Sequence, residues 1–469
     1  MKSLVPTHRP IAWMALFIIP GMFFLVEHRW DASSYYVNTA TDSVTYDGSE
    51  NGTADRQKTF NIGSTAARMM LAMAGIAGLI LPSSKRMDTQ SPLFWCLFLF
   101  AVWTFATYFW SVDSSQTAFK LCVLVVFTVS SLGFSRALVT EELTWVIGGS
   151  CLIYLVLGLV AELAQGTFEP LGDYRFTGTQ HPNTQAAYGA ILSLVCGSFL
   201  LSTRSRISML ILFFVAVCFV ALTKSRTTVA AVLFGLTALQ LVRVKGANRI
   251  LWAAGALFTV AAGGFLISTL GSAVRARLGT AAALGRADEV NSLTGRIPLW
   301  NELLDAIQEH PICGHGYLAY WSSEQVEYLS DLFAWEIPHG HNMYLDVLLD
   351  SGIIGLALFV AVIMSALLVA IRQHNMSRSP QQAFIVAFLC YAIFHGLGES
   401  FFKLPGSPNF MLLTLVLSML WRNEQTIPTS SCRRIAKTPV LRATPVLIQI
   451  RKLRSSYSAR LGCEEGNQR

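Results

Sequence analysis

Charge is what this 469-residue chain has least of: 13% of its residues are Asp, Glu, Lys or Arg, against 53% hydrophobic. A soluble domain carries roughly one-quarter charged residues, so a water-soluble globular class is excluded and a membrane class remains. A disulfide framework is missing as well. Of nine cysteines, Cys96, Cys122, Cys151, Cys196, Cys218 and Cys390 fall inside apolar runs, where thiols behave as small hydrophobes, and Cys313 falls in a large loop. No small-x-small cleavage site precedes Glu27, so the first apolar run reads as a retained span although Lys2 and Arg9 precede it. No repeat of roughly 20–50 residues is detectable, which disfavours inverted-repeat transporter architectures.

What the chain does have is apolar runs close to the ~20 residues needed to cross a bilayer. They fall at about 11–26, 66–82, 92–110, 117–134, 143–163, 185–202, 207–222, 227–242, 250–270, 352–371, 382–397 and 408–421. The expectation is an all-α polytopic membrane protein of about 12 transmembrane helices. Basic short loops set the orientation: SSKRMD (83–88), TRSR (203–206), RVKGANR (243–249) and RQHNMSR (372–378) all face one side when the spans alternate. That side is cytoplasmic by the positive-inside rule, and both termini are expected there.

The resulting organisation is a first span plus a polar outer loop (1–64), spans 2–9 (65–270), a large extracytoplasmic loop (271–342), spans 10–12 (343–421) and a basic cytoplasmic tail (422–469). The tail reads as a disordered segment attracted to anionic headgroups, so membrane lipids are expected partners.

Ionisable groups beside apolar runs are costly and usually face a cavity, and here they gather at the outer face. The turn TKSRT (223–227) places Lys224 and Arg226 at that boundary, where snorkelling to headgroups is the alternative role. The short loop 164–184 carries Arg175, His181 and Asn183 in DYRFTGTQHPNTQ, kept as turn by Gly178 and Pro182. In the large loop, Trp300, Leu303, Leu304 and Ile307 follow one helical face, predicting an amphipathic helix started near Pro298 and stopped by Pro311. Arg296 lies one turn before Trp300. Asn342 is a candidate N-cap for a helix carrying Tyr344, Leu345 and Leu348, with His341 just outside it. His339 and His341, at i and i+2 with no cysteine nearby, make a poor zinc set, so no metal is expected.

These residue types suit chemistry on a pyrophosphate. Guanidinium forks bind phosphate oxygens bidentately and keep their charge at any working pH, which ranks Arg226 and Arg296 first and Arg175 third. A sugar hydroxyl must lose a proton as it attacks, and imidazole is the usual acceptor of it. His341 fits that role, with His339 a competing base.

SRT after the seventh run, GRIPLW followed by PICGHGY, and PHGHNMYLDVLLDSGIIGL leading into a span together resemble the O-antigen ligase and polymerase superfamily over most of residues 65–421. The stretch W-x-x-P-H-x-H-N most resembles exopolysaccharide polymerases of succinoglycan-type pathways. The resemblance implies a metal-independent, inverting glycosyltransferase of GT-C-like fold in the bacterial inner membrane, with a large catalytic loop between spans 9 and 10. Its donor would be an undecaprenyl-pyrophosphate-linked glycan, held by Arg226 and Arg296, with His341 activating the acceptor. The supporting set is Lys224, Asn342, His339, His181, Trp300 and Tyr344. No cofactor and no nucleic-acid partner are implied, whereas a flippase and a chain-length regulator of the same pathway are. Polymerisation of repeat units is the preferred reading. Ligation to a lipid A core and transport of lipid-linked glycans are the rivals.

Overall fold

The computed structural model describes residues 13–19, 21, 62–80, 86–170, 174–203, 205–244, 292–335, 337–400, 402–405 and 407–423. All of them lie in the compact unit Met1–Asn423. The run expected at 250–270, most of the outer segment 27–64 and the tail beyond residue 423 fall outside the described residues.

The described fold is helical, apart from a two-residue antiparallel pair, β1 (Arg86–Met87) with β2 (Arg422–Asn423). The helices are α1 (Ile62–Ile80), α2 (Pro92–Ala106), α3 (Ser114–Ala137), α4 (Thr140–Gln165), α5 (Pro182–Phe199) and α6 (Arg206–Leu222). They continue with α7 (Arg226–Arg243), α8 (Ser292–Glu309), α9 (Ser323–Phe333), α10 (Met343–Ser377), α11 (Pro380–His395) and α12 (Pro408–Leu420). Ten of the predicted apolar runs overlap one of these helices. Pro92–Trp110, Ser114–Ala137, Thr140–Gln165 and Met343–Ser377 are long and apolar enough to cross a membrane by length and composition.

The sequence sets many of these starts. Proline opens α2, α5, α11 and α12, where its missing N–H costs nothing and its fixed φ suits the first turn. Ser379 and Ser407 then cap α11 and α12 by accepting from the N–H groups of Gln382 and Phe410.

Every residue of α5 is buried, so this helix forms the centre of the bundle. Outward-facing Trp95, Phe98, Leu210, Phe214 and Leu368 are exposed. In water such a surface would aggregate; in a bilayer it meets acyl chains.

Two expectations need correction. Helix α8 begins at Ser292, with Pro298 inside it and not at its start. Its buried face is Leu299, Leu303 and Ile307, whereas Leu304 is 43% exposed. The i, i+4, i+8 row wins because it meets a satellite core of Tyr317, Trp321, Leu329 and Ile337.

Helix α10 is interrupted at Gly352, whose φ of 63° and ψ of −169° leave the helical region. The break frees carbonyls of the preceding turn, and the PICGHGY segment and Trp103 of α2 take them up. His315 N donates to Leu349 O (2.8 Å), Gly316 N to Asp350 O (2.9 Å) and Trp103 Nε1 to Ser351 O (2.9 Å). Pro311 O in return accepts from Ile353 N at 2.9 Å. The break thus pins the large loop to the membrane helices, as buried backbone groups require.

Candidate active site at the starts of α7, α8 and α10 and the end of α11

Helix α11 ends at His395, and the following GLGES turn winds back so that Glu399 N donates to His395 O at 3.0 Å. Glycine is needed here for close approach: a Cβ at Gly398 would meet Thr227 Cγ2 at 2.7 Å, and one at Gly396 would meet Met343 Cε at 2.5 Å. The starts of α7 and α10 therefore press against this turn. Asn342 Nδ2 donates to Leu397 O (3.2 Å), Met343 N to Gly396 O (2.8 Å), and Thr228 Oγ1 lies 3.3 Å from His395 Nε2.

Glu399 is fully buried at the meeting point. Its Oε1 accepts from Asn183 Nδ2 at 2.7 Å and from Arg296 Nη2 at 3.0 Å, and its Oε2 lies 3.2 Å from His341 Nδ1. Arg296 Nη1 also donates to Gly398 O at 2.6 Å. Burial by itself would push the Glu399 carboxyl up. The His341 hydrogen bond and the charges of His341, Arg296 and His339 outweigh it and hold the group well below the usual carboxylate range.

Local geometry explains how the PHGHN loop presents its histidines. Gly340 is clamped from both sides, its N–H donating to Asp346 Oδ1 (3.0 Å) and its carbonyl accepting from Trp300 Nε1 (2.9 Å). His341 has a φ of 47°, an uncommon left-handed conformation for a side-chain-bearing residue. Its N–H donates to His339 Nδ1 at 3.2 Å. Asn342 caps α10 as expected, accepting from the N–H groups of Tyr344 and Leu345. Burial pushes His339 well below the usual imidazole range; nearby His341, His181 and Arg296 push the same way and Glu399 opposes them.

A second carboxylate builds the neighbouring loop. Glu162, buried at the end of α4, accepts from Thr177 N (2.8 Å), Gly178 N (2.7 Å), Thr177 Oγ1 (3.0 Å) and Tyr174 OH. Arg175 is thereby aimed at the α6–α7 turn, donating from Nε to Thr223 O (2.8 Å) and from Nη2 to Asn183 Oδ1 (2.9 Å). Asn183, one residue into α5, connects Arg175 to Glu399.

Of the residues singled out from sequence, Arg175, Arg296, His341, His339, Asn342 and Trp300 thus share one connected arrangement. His181 caps α5 and is felt electrostatically at His339. Arg226 is the first residue of α7, directly before Thr227, which packs on Gly398, and Thr228, which faces His395. Lys224 is partly exposed at a φ of 50° in the same turn. Tyr344 OH donates to Ile393 O at 2.9 Å and fastens α10 to α11.

Glu399 and the bridging role of Asn183 are what sequence reasoning missed. The available signal was an acid directly after two closely spaced glycines, Gly396 and Gly398, just past an apolar run.

Donor atoms of His339, His341 and Glu399 lie within 4.8 Å of one another, as do those of Glu309, His310 and His315. In the first group Glu399 already serves three donors, so a cation there would have to displace Arg296 or His341. In the second, Glu309 and His310 are exposed.

Residues 210–360 match the O-antigen ligase family model. That segment holds Arg226, Arg296, His339 and His341, whereas Arg175, Asn183 and Glu399 lie outside it. The chain is also 32% identical over 88 residues to the exopolysaccharide production protein ExoQ of Rhizobium meliloti (strain 1021). That stretch is 18% of this chain and spans about 20% of the relative's length. Both comparisons bear out the resemblance carried by SRT, GRIPLW, PICGHGY and PHGHN.

Proposed function

We propose that this chain polymerises oligosaccharide repeat units at the extracytoplasmic face, transferring the glycan from one undecaprenyl pyrophosphate to a second lipid-linked unit. One observation carries the reading: Arg296 of α8 and His341 of the α10 entry converge on a single buried carboxylate.

Charge develops on the pyrophosphate as its bond to the sugar breaks, and preorganised cations there lower the barrier. Arg226 and Arg296 hold the leaving group, with Arg175 third and Lys224 adding positive charge. The acceptor hydroxyl attacks the anomeric carbon while His341 takes its proton, and the bonding electrons leave with the lipid pyrophosphate. A single displacement inverts the anomeric centre. No metal is required in this scheme, because the arginines supply the positive charge.

The site groups support an enzyme over a transporter by where they sit. Arg226 opens α7, Asn342 caps α10 and Glu399 follows α11. All are at helix ends, whereas transporters place such groups near the bilayer midplane. An apolar cavity of about 390 Å³ between α2, α3, α10 and α12, with Asp350 and Lys403 in its lining, offers room for a lipid chain. In the inner membrane with both termini cytoplasmic, this face would receive lipid-linked units from a flippase and work beside a chain-length regulator.

The family match favours ligation to a lipid A core as the second reading, since the donor chemistry is the same. Purified protein given lipid-pyrophosphate-linked repeats and no other acceptor separates the two. A ladder of longer lipid-linked glycans establishes polymerisation; transfer that starts only on adding lipid A core makes the chain a ligase.

A further inference from the structure

The reaction as described leaves Glu399 without a task, although three donors from three different elements end on it. An ionised carboxylate only accepts hydrogen bonds, so each group facing it must donate. His341 therefore carries its ring proton on Nδ1, 3.2 Å from Glu399 Oε2, and its lone pair falls on Nε2. That Nε2 atom is buried and has no hydrogen-bond partner among the described residues. The same carboxylate holds Arg296 through Nη2, while Asn183 passes the contact on to Arg175.

We infer that Glu399 is a positioning residue: it fixes His341 as the Nδ1–H tautomer, leaves Nε2 as the base for the acceptor hydroxyl, and keeps Arg296 turned into the site. The inference rests on the reading of His341 as the base. In the step itself the hydroxyl proton passes to His341 Nε2 and the freed oxygen bonds the anomeric carbon. The carbon–oxygen bond to the lipid pyrophosphate breaks, its electron pair leaving with the pyrophosphate. Both ring nitrogens are then protonated, and the Glu399 carboxylate stabilises the resulting imidazolium, as the buried acid does in a Ser-His-Asp triad. The other charged or titratable groups facing His341 are His339 on its own loop and Arg296 from α8, with His181 of the α5 cap behind His339. When protonated these oppose the imidazolium, so Glu399 is the anion that favours it.

The test compares the full-length purified protein with Glu399→Gln, His341→Ala and the double variant, following glycan transfer from lipid-pyrophosphate-linked repeats between pH 5 and 9. The expectation is a loss in kcat of about a hundredfold or more for Glu399→Gln, with the acid limb of the rate profile moved to lower pH. The double variant is expected to lose less than the product of the two single losses, because residues acting as a unit are not additive and only the part of Glu399 that acts through Arg296 is left once His341 is gone. A Glu399→Gln protein with wild-type rate and limb overturns the inference, and so do losses that multiply in the double variant. Should Glu399→Gln not accumulate, Glu399→Asp carries the test, since it withdraws the charge by one methylene. A slower rate with a displaced acid limb then supports positioning and an undisplaced limb overturns it. A His341→Ala protein at full rate sinks the base assignment itself, which distinguishes that failure from the failure of Glu399 alone.

Discussion

His341 Nδ1 and Glu399 Oε2 lie 3.2 Å apart although 58 residues separate them in the chain. That contact joins the loop entering α10 to the turn leaving α11, and Arg296 closes the arrangement from α8. A histidine, an arginine and their shared carboxylate are held by three elements, so disturbing any one of them disturbs the others.

Arg296 donates both to Gly398 O and to Glu399, a forked grip that a lysine does not reproduce. Replacing it with Ala is expected to slow transfer by about a hundredfold, and with Lys by about tenfold, the ammonium keeping the charge without the fork. Initial rates of lipid-linked glycan extension, normalised to protein level, check this. Equal losses for the two variants would deny the fork a role.

Asn183 joins Arg175 to Glu399, accepting from one and donating to the other. Removing a buried partner of a charged group costs about 1–3 kcal/mol. Asn183→Ala is therefore expected both to melt earlier and to slow transfer by about tenfold, read from paired melting and rate measurements. Unaltered melting and rate would mean that the bridge is idle.

His339 lies below the usual imidazole range, chiefly because it is buried. Its unfolded value is near ~6.5, so below that pH the unfolded chain binds more protons than the folded one. The associated stability is full above ~6.5 and declines as the pH falls toward the folded value. Thermal unfolding at pH 5.5 should begin at a lower temperature than at pH 7.5, and His339→Asn should shrink that difference. A variant that keeps the whole difference would remove His339 from the account.

At Gly352 a Cβ would lie 2.1 Å from Ile312 O, a backbone atom that has no room to move aside, at a φ of 63°. The backbone conformation alone costs a side-chain-bearing residue about 1–3 kcal/mol. Gly352→Ala is expected to lower the amount of folded protein in membranes and its melting temperature. Wild-type levels and melting would show that the break in α10 is not needed.

Positive charge at the site comes from arginine in this account. Transfer by purified protein should be unchanged within about twofold after chelation with EDTA, since in the proposed scheme arginines supply the positive charge that a metal supplies in metal-dependent enzymes. Loss on chelation with recovery on adding back a divalent cation would contradict it.

The parts of this structure legible in the sequence are those written in local signals. Ten of the apolar runs located helices, and the prolines at 92, 182, 380 and 408 mark where four of them begin. Asn342 announced its cap, and Arg296 and His341 stood out by type beside apolar runs. The face of α8 is not legible in the sequence because Leu299 and Leu304 are equally apolar, and only packing against Tyr317 and Trp321 chooses between them. Glu399 was not legible for a related reason. An acid after an apolar run becomes meaningful only when its partners are known, and Asn183 and Arg296 lie 216 and 103 residues away.

His341 is proposed to drive glycan transfer off a lipid pyrophosphate. The most direct measurement supplies purified protein with repeat units on undecaprenyl pyrophosphate, no other acceptor, and counts free undecaprenyl pyrophosphate against glycan length. The expected result is one pyrophosphate lipid released per linkage formed, with both products lowered by about a hundredfold or more for an equal amount of folded His341→Ala. Release without lengthening, or full lengthening by His341→Ala, would contradict it.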